Sequence, residues 1–242
     1  MRFPHNDSPH SRRCGTEAMN ELIFFAHIAA LISFVLITLR IGKEALTAAL
    51  VIQIILGNLF VTKQIQLFGL NVTCSEVYTI GAIFSLNLLQ TYFGKKAANK
   101  ALLIIFFLLF FVILMSQFHL RYIPSKYDIM HNAFTAILGY TPRIMITSFF
   151  CALVMQKLDM ELFGWIKRKF TKLPFFIPFA CASLITQFLD TILFSFIALY
   201  GIVHSMKDII LMSYLVKVAV IFSIAPFTIL VKRLIRHESI QV

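Results

Sequence analysis

The residues of this chain able to do chemistry in a low-dielectric setting gather in one apolar run. Between Lys172 and Lys207 the single formally charged residue is Asp190, which stands in the stretch 174–201, PFFIPFACASLITQFLDTILFSFIALYG. That stretch is long enough to cross a bilayer, which takes roughly 20 apolar residues. A carboxylate near mid-membrane costs about 2.5–3.5 kcal/mol on insertion scales, so it is expected to face a protein interior or a wet cavity. Ser183, Gln187, Asp190 and Phe194 recur at helical spacing and fall on one face. Donors, acceptors and a negative charge therefore share one stripe inside the membrane, which makes it the first candidate for a substrate site.

Other polar residues interrupt the apolar runs. Lys217 lies ten residues into the last run, too deep to snorkel comfortably. It is a counter-ion for Asp190 or a donor to substrate, unless a tilted helix lets it snorkel after all. Arg143 opens the fifth run as a ligand or as an interfacial anchor, and Asn58 can bind a heterocycle or bridge helices. Gln156 and Asp159 are followed by Glu161, a grouping that resembles a solvated helix end. Glu76 reads as a helix-start carboxylate near the interface. Cys14, Cys74, Cys151 and Cys181 are scattered with no CxxC pair, so no metal or disulfide set is expected. There is no phosphate loop, HExxH or GxSxG. No enzyme activity and no cofactor are expected.

These residues need elements to position them. The chain is 59% hydrophobic and only 14% charged, against about 25% charged in soluble domains. It is expected to be all-α, a polytopic transmembrane bundle of six or seven helices in one domain spanning residues 19–234. Runs of helix length lie at about 20–39, 44–62, 77–93, 101–120, 143–165, around Asp190, and at 208–231. The fourth, nearly pure Leu, Ile and Phe, should face lipid. The stretch 64–76 reads as a loop or a partly re-entrant segment with a chance Asn-Val-Thr sequon at 71–73, and 121–142 should hold a short interfacial helix. Residues 1–18 are a polar tail that can precede a true start at Met19, and 235–242 form a short C-terminal tail.

The net charge of +11 does not imply nucleic-acid binding, because the basic residues sit at the ends of apolar runs, where they anchor helices. Arg40, Lys43, Lys95, Lys96, Lys100, Lys167, Arg168, Lys169, Lys172, Lys232, Arg233 and Arg236 would share one side of a seven-helix bundle; Lys63, Arg121, Lys126, Arg143 and Lys207 would share the other. The excess of positive charge marks the first side, and the C-terminus with it, as cytoplasmic.

Taken together, NLFVTK (58–63), NLLQTYFGKK (87–96), PRIMITSF (142–149), QKLD (156–159), SLITQFLDT (183–191) and YLVK (214–217) resemble the queuosine precursor transporter family, also described as a vitamin-uptake family. The resemblance covers most of the chain between Leu56 and Lys217 and rests on the order and spacing of the pieces. It implies a carrier of 7-deazaguanine bases, or of queuine, in the bacterial inner membrane, with a fold similar to the substrate-binding subunits of energy-coupling-factor transporters. It points to Asn58, Lys63, Arg143, Ser148, Gln156, Asp159, Ser183, Gln187, Asp190 and Lys217 as site positions. The chain departs from the family where an Asp, and often a Glu after it, is usual: Asn87 and Thr91 stand there. That loss of negative charge favours a neutral precursor over the aminomethyl one. Two alternatives stay open: a vitamin-binding subunit served by a separate ATPase module, and an intramembrane enzyme or structural subunit. The expected partners are a small nucleobase and the lipid bilayer; the sequence names no protein partner.

Overall fold

The computed structural model describes residues 9–170 and 176–235; residues 1–8, 171–175 and 236–242, with Lys172 and Arg236, lie outside the described residues. The described chain runs α1 (Pro9–Ile41), α2 (Lys43–Phe60), β1 (Gln64–Leu67), β2 (Leu70–Thr73), α3 (Glu76–Arg121), α4 (His131–Leu138), α5 (Thr141–Lys169), α6 (Phe176–Phe194), a π-helical turn (Ser195–Leu199) and α7 (Met206–Ile235). Among the described residues, five helical spans are long and apolar enough to cross a membrane, starting at Ala18, Lys43, Glu76, His131 and Ala180. The protein is a multi-pass, all-α membrane protein.

Helix α3 contains both the third and the fourth expected helices. Its 46 residues would reach about 69 Å if straight, more than twice the roughly 30 Å hydrocarbon core. Gly94 breaks it at φ 81°, ψ 169°, a conformation that a residue with a Cβ rarely adopts. Beyond the break the chain doubles back. Ile104 and Leu108 border the same groove as Val51 and Ile52 of α2, close in sequence to Gln53, which bonds Ser85 in the first half of α3. Both halves of α3 thus run beside α2. The second half buries Ala101, Ile105 and Leu109 against the bundle and turns Phe107, Phe110 and Phe111 outward, a lipid-facing helix with one packed stripe.

The main core joins α1, α2 and α3 through Leu31, Val35, Leu39, Leu46, Leu50, Leu88 and Leu89, and reaches Met145 of α5 and Met212 of α7. Helices α1 and α3 approach closely at Gly81. A Cβ there would stand 2.0 Å from Leu31 Cδ2 and 2.3 Å from Gln53 Oε1, so only glycine fits without displacing both.

The stretch 64–76 is not a plain loop; residues 64–73 form a β-hairpin. Strands β1 and β2 pair antiparallel, Gln64 opposite Thr73 and Leu67 opposite Leu70. The two turn residues between them, Phe68 and Gly69, both have positive φ, the backbone hand that matches strand twist in two-residue hairpins. Leu67 and Val72 are fully buried. Asn71 donates from its backbone N (3.1 Å) and its Nδ2 (3.2 Å) to Asp208 at the start of α7. The backbone N of His204 donates to Gln64 Oε1 (2.9 Å), and Asn20 Nδ2 to the carbonyl of Gln66 (3.1 Å). The hairpin therefore ties α1 at Asn20 and the first turn of α7 to the start of α3. Asn71 is held against Asp208 and Thr73 is buried, so the sequon is structural. The short helix expected in 121–142 is α4.

Candidate functional site

Helix α7 carries Ser213 and Lys217 one turn apart, so both side chains leave the same face. Lys217 is buried, and its Nζ donates to Asp190 Oδ2 of α6 at 2.6 Å and to Thr191 Oγ1 at 3.0 Å. Thr191 in turn donates to the backbone carbonyl of Gln187 at 2.8 Å. That bond fixes the hydroxyl proton and leaves the oxygen lone pairs toward the ammonium. Lys217 thus neither snorkels nor stands alone. It is the counter-ion of Asp190.

Ser213 donates to the carboxylate of Glu76, the first residue of α3. Glu76 is 3% exposed. Its expected place at a helix start holds, and the hairpin before it and α7 beside it seal the carboxylate away from solvent. Between these groups lies a cavity of about 60 Å³, bordered by Thr73, Ser75, Glu76, Thr79, Thr191, Ser195, Ser213 and Lys217, and closed by Val61, Phe194, Leu199 and Ile209. It offers hydroxyls, one ammonium and a carboxylate to the same small space. Ligand sites for drug-sized molecules occupy about 300–1,000 Å³, so this cavity has room only for a few waters and must widen to admit a planar base.

One wall is irregular. Helix α6 passes into π-helix at Ser195–Leu199, the kind of insertion that disrupts the regular ladder and often accompanies functional sites. Arg143, at the start of α5, donates from Nε to the carbonyl of Ile197 in that turn at 2.7 Å. The exposed Arg143 therefore holds the backbone of the wall. Cys74, between the hairpin and Glu76, has its thiol pushed up by burial, with Lys63 partly opposing.

The stripe expected on α6 divides between two partners. Asp190 turns to α7. Ser183 turns to α5, where its hydroxyl (3.4 Å) and that of Thr186 (3.0 Å) donate to Asp159 Oδ1. Asp159 is thus a helix-to-helix acceptor rather than a solvated helix end, while Gln156 beside it is exposed. Gln187 is half-buried, and its backbone carbonyl takes the Thr191 bond. Asn58 and Asn87 each donate to a carbonyl one turn back on their own helix, Ile54 (2.7 Å) and Ile83 (2.8 Å). Lys63 is exposed and Ser148 half-buried. Of the residues expected in the site, the structure joins Asp190 to Lys217 and borders the cavity with Lys217 and, from the α6 stripe, Phe194. Sequence reasoning passed over Glu76, Thr191, Ser195 and Ser213. The available signal was the hydroxyl one turn before Lys217 on the same helix face.

No solved structure matches the chain. Among curated proteins, a relative from Bacillus subtilis (strain 168) described as "Probable queuosine precursor transporter" is 28% identical over 222 residues, covering 89% of this chain and 95% of the relative. Residues 73–231 match the family described as "Putative vitamin uptake transporter", a span that begins at the hairpin's last residue and takes in every cavity-lining residue except Val61. The chain belongs to that transporter family.

Proposed function

We propose that this protein imports a queuosine precursor, a 7-deazaguanine-type base or queuine, across the bacterial inner membrane and releases it chemically unchanged for tRNA modification. The printed description of the Bacillus subtilis relative supports the cargo class. The observation that carries the reading in this chain is the Asp190–Lys217 pair at 2.6 Å, set within the bundle at a cavity lined by hydroxyls and a second carboxylate. Intramembrane charges are costly and mark substrate or ion paths. A site rich in hydrogen-bonding groups suits a heterocycle with several donors and acceptors, and rejects analogues that leave those groups unpaired. Asp190, Gln187, Ser183, Asn58, Arg143, Lys217, Gln156 and Asn87 remain the proposed cargo path, with Asp190 and Lys217 at its centre.

The direction follows from charge. The cavity lies at the bundle end that holds the hairpin and the start of α7. Lys43, Lys96 and Lys100 gather at the opposite end, around the Gly94 break, and Lys167, Arg168 and Lys169 end α5. The positive-inside rule then puts the basic end and the C-terminus in the cytoplasm and the cavity toward the outside. Transport would proceed by opening the bundle alternately about this site.

The test is queuosine in the tRNA of a bacterial host lacking its own transporter, able to use each supplied base, and fed one precursor at a time. Expression of this chain is expected to restore queuosine with one base, and of the Asp190→Ala variant, at equal membrane level, to fail. Restoration with none, despite correct insertion, would sink the reading and favour the ATPase-dependent or non-transport alternatives.

A further inference from the structure

Two carboxylates face this region, and they are not equivalent. Asp190 is engaged by Lys217. Glu76 is almost fully buried, and among the described residues no ion pair reaches it. Its carboxylate takes hydrogen bonds from the Ser213 hydroxyl and from the Thr73 side chain. A carboxylate accepts at about four lone-pair positions, so Glu76 keeps accepting capacity, and it borders the cavity. Lys217 borders the same cavity, with its ammonium held in place by Asp190 and Thr191.

From this arrangement we infer that Glu76 is the residue that selects the cargo, and that it reads a planar edge bearing two adjacent N–H donors. Lys217 meets a carbonyl at the other end of that edge, and Asp190 acts as a positioning residue that orients Lys217. The inference rests on the base-import reading above and narrows it. A guanine-type edge presents, in order, a carbonyl oxygen, a ring N–H and an exocyclic amine. Lys217 supplies a donor for the first. The two oxygens of Glu76 supply acceptors for the second and third, in the paired geometry that makes charge-assisted contacts strong. A hypoxanthine-type edge lacks the amine and leaves one oxygen unmet. A xanthine-type edge puts a second carbonyl against the carboxylate. Selection therefore follows from leaving a buried acceptor unpaired, the most discriminating device available to a polar site. The cavity is too small for a two-ring base as it stands, so binding must part α7 from α3. The Ser213–Glu76 bond, which joins α7 to α3, is the contact most directly exchanged for the cargo.

The experiment measures binding of 7-deazaguanine, 7-deazahypoxanthine and 7-deazaxanthine to the purified full chain in lipid nanodiscs. Wild type is expected to prefer 7-deazaguanine over 7-deazahypoxanthine by about 10–100-fold. Glu76→Gln, whose amide both donates and accepts, is expected to lose that preference and to gain affinity for 7-deazaxanthine. Glu76→Asp, which keeps the charge but withdraws it by one methylene, serves where the amide variant does not fold. It is expected to fold and to lose at least tenfold of the preference. A wild type that prefers 7-deazaguanine, together with folded variants that keep the same preference, would overturn the role of Glu76 and leave the import reading standing. A wild type that binds none of the three bases would overturn both.

Discussion

Among the regions where polar groups meet between helices, two are built on opposite plans. Where α1, α2 and α3 meet, Gln53 donates to Ser85 at 3.3 Å, beside the bare backbone of Gly81 and under the fully buried Leu39, Leu46 and Leu50. The fit is tight, and this bond is between two neutral side chains. Where α3, α6 and α7 meet, a carboxylate, an ammonium and several hydroxyls surround open space, with Asp190 paired to that ammonium. A membrane helix gains little from polar contacts alone, about 0.6 kcal/mol on average. One hydrogen bond between neutral side chains is therefore enough to fix register, and it is all the first region has. Three ionisable groups at or beside a void exceed what packing requires. The first region holds the bundle, and the second is available to a ligand.

The largest effect should come from breaking the charged pair. Lys217→Met is expected to lower uptake on the order of 100-fold, the loss of a charge-assisted contact, and to lower the melting temperature because Asp190 is left uncompensated. The double variant Asp190→Asn with Lys217→Gln should recover most of the melting temperature without recovering uptake. Recovery of both would mean that the pair is as structural as Gln53 and Ser85.

The converse test acts on the packed region. Gly81→Val must push aside Leu31 and Gln53, and overpacking of this kind costs about 1–3 kcal/mol. The yield of folded protein and its melting temperature should fall, while the folded fraction binds cargo with unchanged affinity. Leu31→Ala in the same chain should return part of the loss. A changed affinity in the folded fraction would show that the two regions are coupled.

How much of this was legible in the sequence differs between the regions for a physical reason. Apolar runs report membrane crossing directly, so the helices, the turn at Gly94-Lys95-Lys96 and the short α4 were all readable. Asp190 and Lys217 were readable because a charge in hydrocarbon is conspicuous, and their pairing was one of the readings that sign left open. The β-hairpin was not, because four-residue strands leave almost no periodicity and the turn opens with Phe68 at positive φ. The burial of Glu76 was hidden for the same reason. A carboxylate at a helix start is ordinarily solvated, and only the docking of the hairpin onto Asp208 buries it. Asn58 and Asn87 satisfy themselves on their own helices, a choice that spacing does not reveal. The division of the α6 stripe between Asp159 and Lys217 depends on the placement of α5 and α7, which is a tertiary fact.

Arg143 tests whether the irregular wall matters. Arg143→Gln releases the carbonyl of Ile197 at a cost of about 1–3 kcal/mol if that carbonyl finds no other partner. Uptake is expected to fall by about tenfold, with Arg143→Lys retaining more than the glutamine variant does. Equal loss in both would mean that the guanidinium meets the cargo itself.

The smallest effect sharpens the comparison most, because it concerns a third carboxylate in the same membrane. Asp159 accepts hydroxyl bonds from Ser183 and Thr186 and does not border the cavity. Asp159→Asn keeps a carbonyl oxygen in place for both donors and removes only the charge. Because no ion pair is broken, the melting temperature should shift by an amount equivalent to less than about 1 kcal/mol, and uptake should change by less than about threefold. The same isosteric change at Asp190 removes the partner of Lys217, so a much larger loss is expected there. If Asp159→Asn instead abolishes uptake while the protein still folds, charge at α5 is part of the cargo path. The division between a holding carboxylate and a working one would then fail.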